Sequence, residues 1–299
     1  MSNNSSGPDF IGIGVMKSAS GWIYKCLRHH PEVSDKNIKE LYFFNKPYNY
    51  SRGINFYYSK FKKGLKYKIK GEYTPSYMLS PQVPSLIYKY LPNVKIIACL
   101  RNPAERAYSD YRYNMQEGGR FRRYNNFEDT IKNDKDFVER GFYYKQLKPY
   151  FDLFPREHIL ILFYEDLKKD PIEFIQSIYK FLDLKNTAFI PPLAEKKLSI
   201  TGTYIIKYKL PIINSLTYWL DSKIEKRSKL RKTINKSRLE KYLTKFREYN
   251  RTKITGKNVK IFSISPLKKT THSYLLNHIY KEDIQNLHIL LNKDLSFWK

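Results

Sequence analysis

Three short apolar runs, each followed by a stretch with helical spacing, constrain the fold of this chain more than any other feature. The runs are FIGIGV at 10–15, VKIIACL at 94–100 and HILILFYEDL at 158–167. Each contains β-branched residues and is shorter than an ordinary helix, so each is predicted to be a buried strand. Strands that alternate with helices of about 10–15 residues pair in parallel. The sequence therefore predicts an α/β core built on a parallel sheet.

The remaining elements are assigned from the spacing of apolar residues and from the positions of prolines. A further strand is predicted at 67–74, and helices at 20–30, 85–91, 104–114, 171–182 and 278–298. After residue 185 the pattern changes, with an amphipathic, helical segment at 203–224, a basic helical stretch at 223–250 and a loop at 263–275. We interpret 1–8 as a disordered lead and 9–299 as one domain, in which 200–262 is a basic helical insertion.

The chain is strongly basic. It has 55 Lys and Arg against 28 Asp and Glu, a formal charge of +27 over 299 residues. Within 223–260 there are fifteen Lys or Arg and three Glu. Such a chain attracts polyanions, among them acidic glycans, phosphorylated cofactors, anionic lipids and nucleic acid. A solvated basic face without a dedicated ligand is the competing interpretation of that segment.

The sequence does not predict a disulfide, a metal site, a transmembrane helix or a signal peptide. Cys26 and Cys99 lie in apolar elements without CxxC spacing, which is typical of buried reduced thiols. The histidines are scattered, so no metal site is predicted. No apolar run is long enough for a transmembrane helix, and the N-terminal residues lack a signal-peptide pattern. We therefore expect a cytoplasmic protein.

The loop after the first strand, MKSASGW at 16–22, is predicted to bind an anion. A strand-to-helix turn aims backbone amides and the helix dipole at one point. Lys17 adds a charge, and the hydroxyls of Ser18 and Ser20 add donors, whereas Ala19 and Gly21 keep the loop small. The ATP-type loop needs Gly-x4-Gly-Lys-Ser/Thr, and two of its glycines are missing here. An ordinary turn with a surface lysine is the alternative.

Two other stretches carry residues suited to phosphate and proton chemistry. Arg101 ends the strand at 94–100, and Ser109 lies two turns into the next helix, so together they could hold a second phosphate. Alternatively, Arg101 pairs with Glu105 and Ser109 faces solvent. In KELYFF at 39–44, Glu40 follows Lys39 and precedes aromatic residues, an arrangement that suits a general base. A solvated Lys–Glu pair is the alternative there.

Together these stretches resemble the sulfotransferases that use 3′-phosphoadenosine 5′-phosphosulfate (PAPS), and most closely their heparan-sulfate branch with the N-deacetylase/N-sulfotransferases. The loop at 17–22 is similar to the family's 5′-phosphosulfate loop, RNPAERAYSDY at 101–111 to its 3′-phosphate motif, and KELYFF to its Lys-Glu segment. Further similar segments follow in family order at 53–61, 71–78, 141–155, 161–171 and 290–298.

The resemblance implies a three-layer αβα fold with a P-loop and a central parallel sheet. It also implies a donor site, formed by Lys17, Ser18, Ala19, Ser20, Gly21 and Trp22 at the 5′ end and by Arg101 and Ser109 at the 3′-phosphate. Glu40 would be the base. Lys17 would stabilise charge on the oxygen of the departing 5′-phosphate, and Lys39 would neutralise the sulfuryl oxygens or tune Glu40. Where related enzymes carry a closing basic loop, this chain has Lys268 and Lys269. The family often has a hydroxyl residue where this chain has Gly21.

The sequence therefore predicts sulfuryl transfer from PAPS to a hydroxyl or amine, with a carbohydrate as the favoured acceptor and 200–262 on the acceptor side. Lipid and small-molecule acceptors stay open. A P-loop kinase is disfavoured by the missing glycines. A protein that only binds polyanions is the other alternative, since aromatic and basic residues interleave at 241–251. Nucleic acid is not the expected partner, because binding alone requires none of the strand-end residues.

Overall fold

The computed structural model describes residues 7–35, 38–62, 67–116, 124, 126–194, 205–208, 216, 246, 249, 251–254 and 265–298. Five strands form the central sheet, which confirms the predicted parallel α/β fold. They are β1 (Phe10–Gly14), β2 (Ile38–Lys39), β3 (Gly71–Tyr73), β4 (Lys95–Leu100) and β5 (Ile159–Phe163). Their order is β2-β3-β1-β4-β5, and every neighbouring pair is parallel. All five strands therefore end at the same edge.

Helices connect these strands and follow the last of them. They are α1 (Ser20–His29), α2 (Pro47–Tyr50), α3 (Ile54–Ser59), α4 (Val83–Tyr90), α5 (Pro103–Gln116), α6 (Phe127–Asn133), α7 (Asp136–Glu139), α8 (Tyr143–Leu153), α9 (Tyr164–Lys169), α10 (Pro171–Phe181), α11 (Lys269–Tyr274) and α12 (Lys281–Leu291). A π-helical turn, Leu275–Ile279, joins α11 to α12, and 3-10 turns lie at Tyr77–Leu79, Arg156–His158 and Ser296–Trp298.

Two apolar cores cover the two faces of the sheet. Alternate residues of a strand point to opposite faces. In β4, Ile96 packs with one core and Ile97 with the other. The first core includes residues of α4, α8 and α12, whereas the second includes residues of α1 and α10. The result is the expected three-layer arrangement of helix, sheet and helix.

Close packing between β1 and β3 depends on one glycine. A Cβ atom at Gly12 would lie 2.2 Å from Cδ2 of the buried Tyr73 ring. The Tyr73 hydroxyl also donates to the carbonyl oxygen of Gly14, at 3.2 Å. A side chain at position 12 would therefore push β1, which carries the loop, away from β3, which pairs with the strand before Glu40.

Five sequence predictions need correction. The helix predicted at 278–298 ends at Leu291, and a separate 3-10 turn follows at Ser296–Trp298. The third predicted strand ends at Phe163, and 164–167 is helical. The strand predicted at 67–74 is limited to Gly71–Tyr73. The loop predicted at 263–275 contains α11. The helix predicted at 203–224 is wrong at Ile205–Tyr208, which forms β6 and pairs antiparallel with β7 (Arg251–Ile254). β-Branched and aromatic residues favour an extended chain there.

Most of the basic stretch at 223–250 lies outside the described residues. By its contacts the chain divides into two compact units. One comprises Met1–Asp110, Asn126–Leu198 and Leu267–Lys299, and the other comprises Tyr111–Asn125 and Ser199–Pro266. Among the described helices, none has the length and apolar character that crossing a bilayer requires.

Candidate active site

The loop between β1 and α1 carries a backbone suited to anion binding. Ala19 is the N-cap residue of α1 and has a left-handed conformation, with φ 61°. Lys17 is left-handed as well, with φ 73°. The first turn of α1 contains no acidic residue, and the Ala19 side chain offers no cap. No carboxylate of the first turn therefore neutralises the positive end of the helix dipole, and this favours a bound anion.

The side chains of this loop include a buried hydroxyl without a partner. Ser18 is fully buried, and its Oγ atom makes no hydrogen bond to any residue that the structure describes. Since buried polar groups are normally hydrogen-bonded, such an atom fits a ligand oxygen. Ser20 begins α1, and Trp22 packs its ring against Phe174 at 6.0 Å between centroids. A Cβ atom at Gly21 would meet no atom within 4 Å, so the loop is open at this residue.

Arg101 lies at the end of β4 and contacts the loop. Its Nη1 atom donates to the carbonyl oxygen of Lys17 at 3.3 Å, and its Nη2 atom to Oε2 of Glu105 at 3.0 Å. The pairing with Glu105, which was the alternative to phosphate binding, is thus present. Ser109 lies one turn beyond Glu105 on the same face of α5 and is buried, so it does not face solvent.

Tyr164 is a residue of this site that the sequence did not reveal. The guanidinium carbon of Arg101 lies 4.6 Å from the centre of its ring, within cation–π range. Tyr164 directly follows β5, so its place at the carboxyl end of a strand was an available signal. The predicted strand ran through it, which concealed that signal.

Glu40 follows β2 and is held by its neighbours. Lys39 Nζ donates to its Oε1 atom, and the Tyr42 hydroxyl donates to Oε2 at 2.6 Å. Partial burial of the carboxyl tends to raise the pKa of Glu40. The hydrogen bonds from Lys39 and Tyr42, with the Lys39 charge, outweigh that effect, so the pKa lies below its usual value. The carboxylate is therefore ionised at neutral pH.

The sheet brings these residues to one edge. The loop with Lys17 follows β1, Arg101 follows the adjacent β4, and Glu40 follows β2. One strand, β3, lies between β1 and β2. At about 4.8 Å per strand spacing, Glu40 lies roughly 10 Å from the axis of β1 in the direction across the sheet. Crevices at the carboxyl ends of parallel strands are the usual ligand sites of such folds.

Of the two predicted lysines on the C-terminal segment, one has a described partner. Lys268 precedes α11, and its Nζ atom lies 3.6 Å from Oε1 of Glu128. His272, one turn into α11, accepts a hydrogen bond from the Asn102 side chain at 3.2 Å. Since Asn102 follows Arg101, this contact holds the N-terminal part of α11 near the end of β4. Lys269 is the first residue of α11 and is exposed.

Two further observations concern residues beside the site. Tyr143, the first residue of α8, is fully buried, and its hydroxyl donates to the carbonyl oxygen of Arg101 at 2.8 Å. It therefore supports the end of β4 through packing. In the part of the chain that the structure describes, no group of three or more His, Cys, Asp or Glu side chains is arranged to hold a metal ion.

Comparison with known proteins identifies a family model and several related proteins. Residues 7–260 match the family model described as the sulfotransferase domain. Mouse heparan sulfate glucosamine 3-O-sulfotransferase 5 is 30% identical over 186 residues, 59% of this chain and 54% of that protein. The membrane-associated sulfotransferase kil1 of Dictyostelium discoideum is 35% identical over 112 residues, 36% of this chain and 23% of that protein.

The chain spans about half the length, or less, of these curated relatives. Among solved structures, a sulfotransferase from Alicyclobacillus acidocaldarius aligns over 97% of this chain and 98% of its own, with a TM-score of 0.65 and 18% identity. That likeness concerns the fold. The family model covers most of the chain, and the chain therefore belongs to the sulfotransferase domain family.

Proposed function

We propose that the chain transfers a sulfuryl group from PAPS to a hydroxyl or amine of a carbohydrate acceptor. The observation that carries this proposal is the contact between the end of β4 and the loop after β1, the two elements proposed to bind the phosphates. Arg101, at the end of β4, donates to the Lys17 carbonyl in the loop that follows β1. A donor with phosphates at its 5′ and 3′ positions requires two such elements side by side.

The residues present fit this donor. The start of α1, with Lys17, the unpartnered Ser18 hydroxyl and the Ser20 hydroxyl, would bind the 5′-phosphate and the adjoining sulfate. Ala19, Gly21 and Trp22 would contribute backbone and shape. Arg101 and Ser109 would bind the 3′-phosphate, which requires Arg101 to share its guanidinium between Glu105 and the ligand. Lys268 or Lys269 would add charge from the segment before α11.

The proposed reaction is a single in-line transfer. The acceptor oxygen or nitrogen forms a bond to sulfur while the bond from sulfur to the 5′-phosphate oxygen breaks. Glu40 takes the proton that the acceptor loses, and its lowered pKa supports an ionised base at neutral pH. Lys17 stabilises the charge that develops on the departing phosphate oxygen, and Lys39 either neutralises the sulfuryl oxygens or tunes Glu40. Fixed charges placed in this way lower the barrier.

A carbohydrate acceptor is supported by the names of the relatives, since the mouse protein is called a heparan sulfate glucosamine sulfotransferase. The net charge of +27 suits an acidic or partly sulfated glycan. The alternatives, a kinase and a protein that only binds polyanions, have no comparable support from the described residues. The cytoplasmic location stays a prediction, which fractionation of the source cells would test.

The test is transfer of ³⁵S from labelled PAPS to a panel of acceptors: heparan sulfate, N-desulfated heparin and a neutral polysaccharide. We expect incorporation into a glycan of the heparan type that Glu40→Gln reduces by about 100-fold or more, in the range for loss of a general base. The Glu40→Gln protein should retain its affinity for 3′-phosphoadenosine 5′-phosphate (PAP). Incorporation that Glu40→Gln leaves unchanged would contradict the mechanism, and an absence of incorporation into all three glycans would contradict the acceptor class.

A further inference from the structure

A buried carboxylate lies behind the segment that carries Glu40. Glu72, in β3, is 1% exposed. It accepts hydrogen bonds from the hydroxyls of Tyr57 at 2.7 Å, Thr74 at 2.9 Å and Tyr77 at 3.0 Å. Three donors on one carboxylate compensate for much of the cost of burying its charge. None of these groups has a role in the mechanism described above.

The Tyr77 hydroxyl links this carboxylate to the Glu40 segment. Its single proton is directed to Glu72, which leaves the oxygen lone pairs to accept. They accept the backbone N–H of Phe43 at 2.9 Å and, more weakly, that of Phe44 at 3.4 Å. Both phenylalanines are buried. Glu72 therefore fixes the orientation in which Tyr77 can hold the backbone three residues beyond Glu40.

Two more hydrogen bonds join the same two segments. Asn45 Nδ2 donates to Ser76 Oγ at 2.8 Å, one residue before Tyr77. The backbone N–H of Glu40 donates to the carbonyl oxygen of Tyr73 at 2.9 Å. The left-handed backbone at Glu40, with φ 62°, is strained for a residue with a side chain, so it needs such support from its surroundings.

We propose that Tyr77, oriented by Glu72, is a positioning residue that holds the Glu40 segment in place for proton transfer. This inference rests on the proposed function, because it gives Glu40 its role as base. Without the Tyr77 hydroxyl the buried N–H of Phe43 loses its acceptor, and the segment shifts to find another. Donor binding, which depends on β1, α1 and β4, is not expected to change.

The test compares Tyr77→Phe with Tyr57→Phe. Both variants remove one hydroxyl bond to the same oxygen of Glu72 and keep a buried ring, but only Tyr77→Phe removes the acceptor for Phe43. Hydrogen exchange of a peptide spanning 38–46 should be at least tenfold faster in Tyr77→Phe and near wild type in Tyr57→Phe. Equal exchange in wild type and Tyr77→Phe, or equal loosening in both variants, would overturn the proposal.

Turnover and PAP affinity give the second readout. In Tyr77→Phe we expect kcat for ³⁵S transfer to heparan sulfate to fall at least tenfold, with the Kd for PAP within twofold of wild type. Ser76→Ala removes the half-buried hydrogen bond from Asn45 Nδ2 to Ser76 Oγ and should lower kcat about threefold. This variant provides a test if Tyr77→Phe does not fold. Unchanged kcat in the variants that fold would overturn the positioning role alone. A wild type that neither binds PAP nor transfers sulfate would refute the proposed function, and the positioning role with it.

Discussion

At the scale of single residues, the ionisation of Glu40 depends on two neighbours in its own segment. Lys39 and Tyr42 both donate to its carboxylate, on different oxygen atoms. These bonds favour the charged form, and together with the Lys39 charge they outweigh partial burial. A base with a lowered pKa stays ionised over a wide pH range, but it accepts a proton less readily.

Tyr42→Phe should therefore move the pH dependence of turnover. Loss of the hydroxyl bond raises the pKa of Glu40 toward its usual value. Since Glu40 must be ionised to accept a proton, the acidic fall in kcat should begin at higher pH in the variant. The measurement is kcat against pH, with Tyr88→Phe as control because Tyr88 lies on α4 and is exposed. An acidic limb that stays in place, or moves to lower pH, would contradict this role of Tyr42.

Gly21→Ser should strengthen donor binding. The position is open, and the added hydroxyl would lie in the first turn of α1, where an anion is proposed to bind. Serine also has a higher helix propensity than glycine. We expect the Kd for PAP to fall severalfold, because one added hydrogen bond contributes about 1 kcal/mol to binding. Gly21→Ala is the matched control, because it adds the propensity without the donor; equal affinity in both variants would remove the hydroxyl argument.

At the scale of elements, the sequence predicted those whose signal is local. The run that forms β1 is continuously apolar, and the run that forms β4 is apolar apart from Lys95. Pro103 and Pro171 mark the first residues of α5 and α10. The two-residue strand β2 was not predicted, because it is defined by its pairing with β3 and not by its own residues. For the same reason the sequence predicts a helix over 205–208, where the chain forms a strand that pairs with residues 251–254.

The residues of the candidate site also divide into those with a local sequence signal and those without one. The sequence predicts Lys17 and Arg101 because each follows a recognisable apolar run at a strand end, and Glu40 because it lies between Lys39 and a run of aromatic residues. Tyr164 and the network of Glu72 and Tyr77 were missed, because their roles arise from contacts between distant segments. The Tyr77 hydroxyl bonds Phe43, which is 34 residues away in the chain. No spacing rule within one segment encodes such a contact.

Replacing Ile97 in β4 tests the importance of the central strand. Ile97 is fully buried in the core shared with α1 and α10. Ile97→Ala should lower the free energy of unfolding by about 2–5 kcal/mol, as deletion of buried aliphatic groups does. Ile289→Ala is the control, since Ile289 is 73% exposed on α12 and should change stability by less than about 0.5 kcal/mol. Similar losses in urea denaturation of the two variants would contradict the packing described for β4.

At the scale of the whole molecule, Glu72 links stability to pH. Burial raises the pKa of Glu72 to about 7, although the hydroxyl bonds from Tyr57, Thr74 and Tyr77 act in the opposite direction. The folded state thus binds more protons at this carboxyl than the unfolded state between its usual pKa of 4.5 and about 7. A group of this kind reduces the free energy of unfolding as pH rises through that interval.

Glu72→Gln should remove this dependence. The glutamine oxygen can still accept from the tyrosine hydroxyls, but it does not titrate. The stability of wild type relative to Glu72→Gln should fall between pH 5 and pH 8, by at most about 3 kcal/mol if the whole shift is expressed. Urea denaturation of both proteins across that range measures it. A difference that is constant with pH, or that grows in favour of wild type, would contradict the burial of an ionisable Glu72.

The central claim is that this protein binds a donor with a 3′-phosphate, and calorimetric titration with PAP, ADP and ATP tests it most directly. We expect PAP to bind at least tenfold more tightly than ADP or ATP, because a charge-assisted contact to phosphate contributes about 1.5–3 kcal/mol. Arg101→Ala should reduce the affinity for PAP to that for ADP and leave the affinity for ADP unchanged. Equal binding of ATP and PAP, no binding of either, or an equal loss for PAP and ADP in Arg101→Ala would contradict the account.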